Sequence, residues 1–224
     1  MKAISKAKAH QVYTDKNGKR IPGVTTVLGV LNKPALVAWA NRIGLQGYNV
    51  NQYVDIMAEI GTCAHDVVNC LLSGREPDVS RYSEDIQNEA VSAVESFFTW
   101  GSDKDITVIA SEVSLVSDKY RFGGTIDAIL NINGTETLLD FKTSSGIYDS
   151  HLIQVVAYLA LAKENGYNPK KVGVLRIGRK ENEGIEEVYV DSIIPKAWDL
   201  FLHCRAIYDL QKEVKKGLKW TSNI

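Results

Sequence analysis

The period of apolar and polar positions changes along the chain. In PALVAWANRIGLQG, Leu36, Trp39, Ala40 and Ile43 fall on one helical face, with Pro34 suited to the first turn and Gly44 or Gly47 to the end. A second helix is predicted over about 52–72, closing at Ser73-Gly74. A third spans 83–100, where Ser83 suits the N-cap, Glu84 and Asp85 the first turn, and Ile86, Ala90, Val94 and Phe97 recur at helical spacing. After it the pattern becomes β-rich. ITVIASEVSLVS and YRFGGTIDAILNI read as strands joined by Ser117-Asp118-Lys119, and ETLLDFKTS follows Asn133-Gly134 as a third, giving an antiparallel meander. A helix over about 149–164, the strands KVGVLRIG and IEEVYVDS, and an amphipathic helix over about 195–216 complete the order. The opening YTDKNGKRIPGVTTVLGVL reads as hairpin-like or loop-like, with a turn at Asn17-Gly18 and a β-branched run after Pro22-Gly23.

This order is α/β. A strand (ETLLDFKTS), a crossover helix and a second strand (KVGVLRIG) form a βαβ unit, so a mixed sheet with at least one parallel pair is expected. No repeat or Pro/Ser linker divides the 224 residues. One domain is therefore predicted, with a mainly helical part over 1–102 laid against a sheet core over 103–194, and a helix with a basic tail over 195–224.

Composition removes several function classes. The 26 Lys and Arg against 27 Asp and Glu give a formal net charge of −1, so a nucleic-acid partner must be held by local patches. Cys63, Cys70 and Cys204 form no CxxC pair, and a zinc site, an iron–sulfur cluster or a secreted disulfide scaffold is not expected. No apolar run approaches the roughly 18 residues that span a bilayer, and the start lacks the apolar region of a secretory signal. A cytoplasmic setting with no membrane partner fits best. Lys2, Lys6 and Lys8, with no acid before Asp15, leave a mitochondrial transit segment as the lesser alternative, weakened by the lack of Arg before Arg20. No GxGxxG or P-loop is present, which sets dinucleotide and P-loop chemistry aside.

The candidate chemistry lies on two neighbouring strands. Gly123-Gly124-Thr125-Ile126-Asp127 is followed, 13 positions after Asp127 (140 minus 127), by Asp140-Phe141-Lys142. Alternation puts Asp140 and Lys142 on one face and Phe141 on the other. An acid and a lysine beside a second acid make a cation pocket edged by an ammonium. Such a pocket suits Mg2+ or Mn2+ and metal-assisted phosphodiester hydrolysis. Lys142 would orient or deprotonate the attacking water, or neutralise charge in the transition state. By spacing alone, an Asp-Lys pair on a solvated strand with an unrelated acid at Asp127 fits better. Gly123-Gly124 would admit a close backbone, a bulge or the substrate.

In company with four further elements, these residues resemble the PD-(D/E)XK nuclease superfamily over most of the chain, and within it the RecB-like exonuclease branch. Gly61-Thr62-Cys63-Ala64-His65 is similar to the branch's Gly-x-x-x-His helix. Glu112 in SEVSL is similar to the acid on the preceding strand, and Gln154-Val-Val-Ala-Tyr158 to the Q-xxx-Y element after the lysine. GVTTVLGVLNKPALVAWA resembles the amino-terminal segment of phage-type and mitochondrial genome maintenance-type exonucleases.

The resemblance implies a restriction-endonuclease-like core, catalytic roles for Asp127, Asp140, Lys142, Gln154, Tyr158 and Glu112, and a metal set of His65, Asp127, Asp140 and Phe141. It implies an Mg2+- or Mn2+-dependent deoxyribonuclease acting on DNA ends, single-stranded or duplex, in replication, recombination or repair, with a recombination or replication protein as a possible associate. The cysteine cluster of iron–sulfur relatives is absent. Read as residues, Gln154 and Tyr158 would position a phosphate or the lysine, or form a polar stripe beside Leu152, Val155, Val156 and Leu159. Glu112 would be an outer-sphere contact, a partner of Lys142 or a surface acid. Thr143 and Ser144 would contact phosphate or cap the strand. Substrate cations are expected from Lys170, Lys171, Arg176, Arg179 and Lys180, or from Lys212, Lys215, Lys216 and Lys219 with Trp220 stacking on a base. Trp39, Asn41, Arg42, Tyr48 and Tyr53 would wall a channel, with core packing the competing fate of Trp39.

Overall fold

A computed structural model describes residues 11–178 and 183–217. Its centre is a five-stranded mixed sheet of β3 (Ile106–Ser117), β4 (Phe122–Ile132), β5 (Thr135–Lys142), β6 (Lys171–Ile177) and β7 (Ile185–Tyr189), adjacent in chain order. β3, β4 and β5 form the expected meander. β5 and β6 are the parallel pair, joined by α5 (Asp149–Glu164).

Each sheet face carries its own core; strand alternation decides which residue enters which in β5 and β6, while in β4 the alternation slips by one between Ile126 and Ala128. Phe122, Ile126, Ile129, Leu138, Val172 and Val174 pack with α5, with the short helix α1 (Val24–Leu28) and with α6 (Ile194–Gly217). Ala128, Leu130, Leu139, Phe141, Leu175 and Ile177 pack with α3 (Val50–Leu72) and α4 (Glu84–Gly101). α5 lies between the sheet and α1 and α6, and is buried almost continuously from Ile153 to Leu159.

Three local expectations are corrected. Val24–Leu28 is a helix, because Val24, Val27 and Leu28 place all their apolar surface on one face at helical spacing, which an extended run would split between two. Ser83 holds the N-cap position of α4 without a side-chain capping bond; the Gln87 amide instead donates to the Val79 and Tyr82 carbonyls, at 3.1 and 2.9 Å. α2 (Ala35–Leu45) buries Ile43 alone, while Leu36 and Val37 face solvent. Trp39 is accordingly half-buried, its ring 5.9 Å from that of Tyr53, and does not enter the core.

The predicted turn at Asn17-Gly18 joins β1 (Tyr13–Thr14) to β2 (Arg20–Ile21), with Gly18 at φ +74°. Asp15 fixes the hairpin. Its Oδ1 accepts from the N–H groups of Asn17 and Lys19, and Oδ2 lies 2.9 Å from Arg121 Nη1 at the β3–β4 turn.

Gly123 does admit a close backbone, its N–H donating to the Pro22 carbonyl at 3.0 Å, and both glycines also make room for a ring. A Cβ on Gly123 would meet Tyr13 Cγ at 2.4 Å, and one on Gly124 would meet Tyr158 Cε1 at 2.6 Å. Gly124→Ala is therefore expected to lose about 1–3 kcal/mol as the Tyr158 ring is displaced. Denaturant unfolding with an unchanged midpoint would contradict that packing.

Candidate active site

Pairing of β4 with β5 runs from Ile132↔Thr135 to Ala128↔Leu139 and stops. Just beyond, the Phe141 N–H donates to Asp127 Oδ2 at 2.8 Å. A carboxylate thus takes the place of a strand carbonyl, satisfying a backbone donor. Asp127 and Asp140 sit where the two strands part. Asp140 is 1% exposed; its Oδ1 accepts from Gln154 Nε2 at 3.3 Å, and its Oδ2 lies 2.5 Å from Lys142 Nζ. Gln154 Nε2 also donates to the Tyr158 hydroxyl at 2.8 Å. Both are buried, so Gln154 and Tyr158 are a hydrogen-bonded pair on Asp140 and not a solvated stripe.

From the opposite face, α3 brings His65 Nδ1 to 3.7 Å from Asp127 Oδ1. Gly61 makes the approach possible, since a Cβ there would lie 2.8 Å from Thr143 Oγ1 at the end of β5. One turn later His65 faces the carboxylates. The spacing of Gly61 and His65 therefore has a steric cause in this chain.

Burial, with the Asp127 charge adding to it, pushes the Asp140 carboxyl up to about 6, although Lys142 pulls the other way. Burial and the Lys142 ammonium hold the His65 imidazole below its usual range, so near neutral pH it offers a lone pair. Burial and then Asp140 and Asp127 raise the Tyr158 hydroxyl well above the ordinary tyrosine range, so it stays protonated.

Glu112 occupies the β3 position opposite Asp127, between the pairs Ser111↔Ala128 and Val113↔Ile126. Its φ of +45° is unusual for a residue with a side chain, and strain of this kind clusters at functional sites. It is exposed and close enough to act electrostatically on His65.

The donor set is two carboxylates and a neutral imidazole. In kind it fits a divalent cation, whose charge would offset the burial that raises Asp140 and the smaller effect of the Asp127 charge. As they stand, no three His, Cys, Asp or Glu side chains among the described residues are close enough together to hold an ion, so a cation would need these side chains to draw in. Asp127, Asp140 and His65 would hold the cation. The Phe141 ring points away into the α4 side of the core, 5.5 Å from Phe97, leaving only backbone atoms near the carboxylates.

Other predicted residues fall in different places. Thr143 lies against α3, and Ser144 Oγ donates to the Gly146 carbonyl at 2.8 Å. Arg176 pairs in register with Lys142, but its guanidinium is bound to Glu186 at 3.0 Å and to the Glu183 carbonyl at 2.9 Å. Lys171 pairs with Thr137, at the far end of the sheet, roughly 16 Å from Lys142 at the usual strand rise. Parallel pairing thus separates Lys170 and Lys171 from the carboxylates. Trp39, Tyr48 and Tyr53 do form one aromatic group, with Tyr48 6.0 Å from Tyr53. Arg179, Lys180, Lys219 and Trp220 lie outside the described residues.

A pocket of about 160 Å³ beside Lys142 adds residues not anticipated from sequence: Thr25, Lys33, Ser150 and His151 line it with Lys142 and Gln154. Burial, with Lys142 and Lys33 beside it, lowers the His151 imidazole to about 4. His151 precedes Gln154 by three positions, and that shared helical face was the available signal. Lys33 had none, because its place depends on α1 folding over α5. Among the described residues no helix is long and apolar enough to cross a membrane.

No protein-family model matches the chain. Its sequence is 26% identical over 178 residues to a tRNA-2-methylthio-N(6)-dimethylallyladenosine synthase from Desulforamulus reducens, a match over 78% of this chain. The chain spans about a third of that protein's length (34%). Among solved structures, it is similar to a candidate exonuclease from Eubacterium rectale, with a TM-score of 0.45 and 11% identity over 66% of each chain. It is also similar to the protein SSO0001, with a TM-score of 0.29 and 15% identity over 66% of this chain and 74% of that one. Superpositions at this level do not bear on activity, and the fold itself is what stands: a five-stranded mixed sheet with helices on both faces.

Proposed function

We propose that the chain is a divalent-cation-dependent deoxyribonuclease of the PD-(D/E)XK kind, acting on DNA ends as an exonuclease. The observation that carries this reading is the meeting of Asp127, Asp140, Lys142 and His65 where β4 and β5 part, with the Lys142 ammonium 2.5 Å from a buried carboxylate. An Mg2+ or Mn2+ ion bound there would acidify a water, polarise the phosphoryl group and stabilise charge on the leaving oxygen.

The chain's own residues supply the rest. Gln154 fixes Asp140 Oδ1 and leaves Oδ2 toward Lys142. Tyr158, kept protonated, fixes the Gln154 amide. Lys142 presents positive charge where a phosphate oxygen gains negative charge, within a buried setting that strengthens the attraction. With Asp140 near 6, the carboxylate is mainly ionised above about pH 7 and able to hold a cation or accept a proton.

The expected result is degradation of end-labelled linear DNA with Mg2+ or Mn2+ and none with EDTA. Closed circles should survive; if they are cut, the chain is an endonuclease on the same core. Tight DNA binding without hydrolysis under either metal would make it a binding module.

A further inference from the structure

A pocket of about 430 Å³ lies on the other side of α1 from Lys142. It is lined by Gln11, Tyr13, Arg20, Thr26, Tyr208 and Lys212, with Ile21, Pro22 and Gly23 as its floor. We infer that this pocket holds a phosphate-bearing segment of the same single strand of DNA whose scissile phosphate lies at Asp127, Asp140 and Lys142. The inference rests on the proposed nuclease activity.

Its lining contains two cations, three hydroxyls, one amide and no carboxylate, although acids outnumber bases in the chain as a whole. Arg, Lys, Tyr, Thr and Gln are the side chains that contact nucleic-acid phosphates and sugars. Lys212 and Tyr13 each have a neighbour that positions them. Lys212 Nζ sits 4.5 Å from the centre of the Tyr208 ring. The Tyr13 hydroxyl is 2.9 Å from Thr125 Oγ1, and its ring covers Gly123. The Gly123 N–H donates to the Pro22 carbonyl at 3.0 Å, which ties the floor to β4 four positions before Asp127.

α1 is the partition between the two sites. Thr26 lines the large pocket, while Thr25 lines the smaller one with Lys33 and Lys142. A flexible polyanion crossing this short helix meets Lys142 and Lys33 on one side and Arg20 and Lys212 on the other. Backbone contacts of this kind set affinity and register for a strand while the cutting site does the chemistry.

The test is binding of a fluorescein-labelled single-stranded DNA of about 20 nucleotides to the full chain in EDTA, followed by anisotropy over a range of NaCl. The double variant Arg20→Gln/Lys212→Gln alters two exposed side chains. It should bind roughly tenfold more weakly, and its log–log salt slope should be shallower by about 1.4, two phosphates at roughly 0.7 each. With Mn2+, its kcat/KM should fall on the long strand and stay unchanged on a dinucleotide. Unchanged affinity overturns the inference. So does an equal loss in Lys170→Gln/Lys171→Gln, which lies at the far end of the sheet, or displacement of the strand by poly-glutamate at equal charge, which would point to an acidic protein. If wild type binds through Arg20 and Lys212 but hydrolyses nothing with either metal, the pocket stands and the nuclease reading fails. If it hydrolyses DNA and the variant binds normally, the reverse holds.

Discussion

Lys142→Met is expected to lower metal-dependent DNA hydrolysis by roughly 10²–10³-fold, the usual loss when one preorganised charge partner of a phosphoryl or acyl transition state is removed. The side chain is 18% exposed and its ammonium contacts Asp140, so the methionine stem refills the space with little disturbance of packing. kcat should fall more than KM rises, because the ammonium gains most as charge develops on the phosphate. Lys142 also holds down the raised Asp140 carboxyl. The alkaline-rising limb of the pH–rate profile should therefore move to higher pH in the variant. A purely structural lysine would lower the melting temperature and leave that limb where it is, and undiminished hydrolysis by a folded Lys142→Met protein would remove Lys142 from the site.

Asp140→Asn is expected to abolish hydrolysis and yet raise stability at alkaline pH. The Asp140 carboxyl sits at about 6 in the fold against an ordinary value of 3.8. The folded chain thus binds this proton more tightly than the unfolded chain does. Its stabilising contribution is fully present below about pH 3.8 and is lost as pH rises through about 6. About two pKa units correspond to roughly 3 kcal/mol, present as a deficit in the wild type at pH 8. Part of that gain is offset in the variant by the lost contact with Lys142, so a smaller net gain is expected. His65 works in the opposite direction, since its depressed pKa contributes stability above about 6.5 that is lost in acid. The Asp140 charge itself raises His65, so the variant lowers His65 further; that change has the same sign as the loss of the Asp140 carboxyl, and the difference between the two proteins reports the coupled pair. Urea unfolding of both from pH 4 to pH 8 checks this: the variant should gain on the wild type as pH rises, and a pH-independent difference would refute the strained carboxylate. Adding Mn2+ at pH 8 should stabilise the wild type alone, because a cation at Asp140 offsets the cost of burying its charge.

Much of the fold was legible in the sequence because its strands and helices keep their periods. The alternation in Leu138-Leu139-Asp140-Phe141-Lys142 already separated the two faces, and the structure sends Leu138 toward α5 and Phe141 toward α4. The helical spacing of Gln154 and Tyr158 was equally plain, but a polar stripe and a buried pair have the same spacing. Burial of α5 between the sheet and α1 separated the two readings. Short segments were harder. Val24–Leu28 is a single helical turn whose apolar residues fit a strand or a helix, and only packing on α5 and α6 selects the helix. The apolar residues of α2 suggested a core face, yet that helix meets little beyond the start of α3.

By itself the sequence determined the mixed α/β order and the parallel crossover, because these depend on residue type and on short spacings, and the resemblance of its ordered motifs supplied the candidate set of Asp127, Asp140, Lys142, His65, Gln154 and Tyr158. Only the tertiary structure decided which of them meet. The end of the β4–β5 ladder at Leu139 lets the Asp127 carboxylate take the Phe141 N–H, and Gly61 lets α3 bring His65 to the other side of that gap. The same long-range packing bound Arg176 to Glu186, left Lys171 at the far end of the sheet, and set Lys33 and His151 beside Lys142. Such contacts join residues far apart in the chain, and local periodicity carries no record of them.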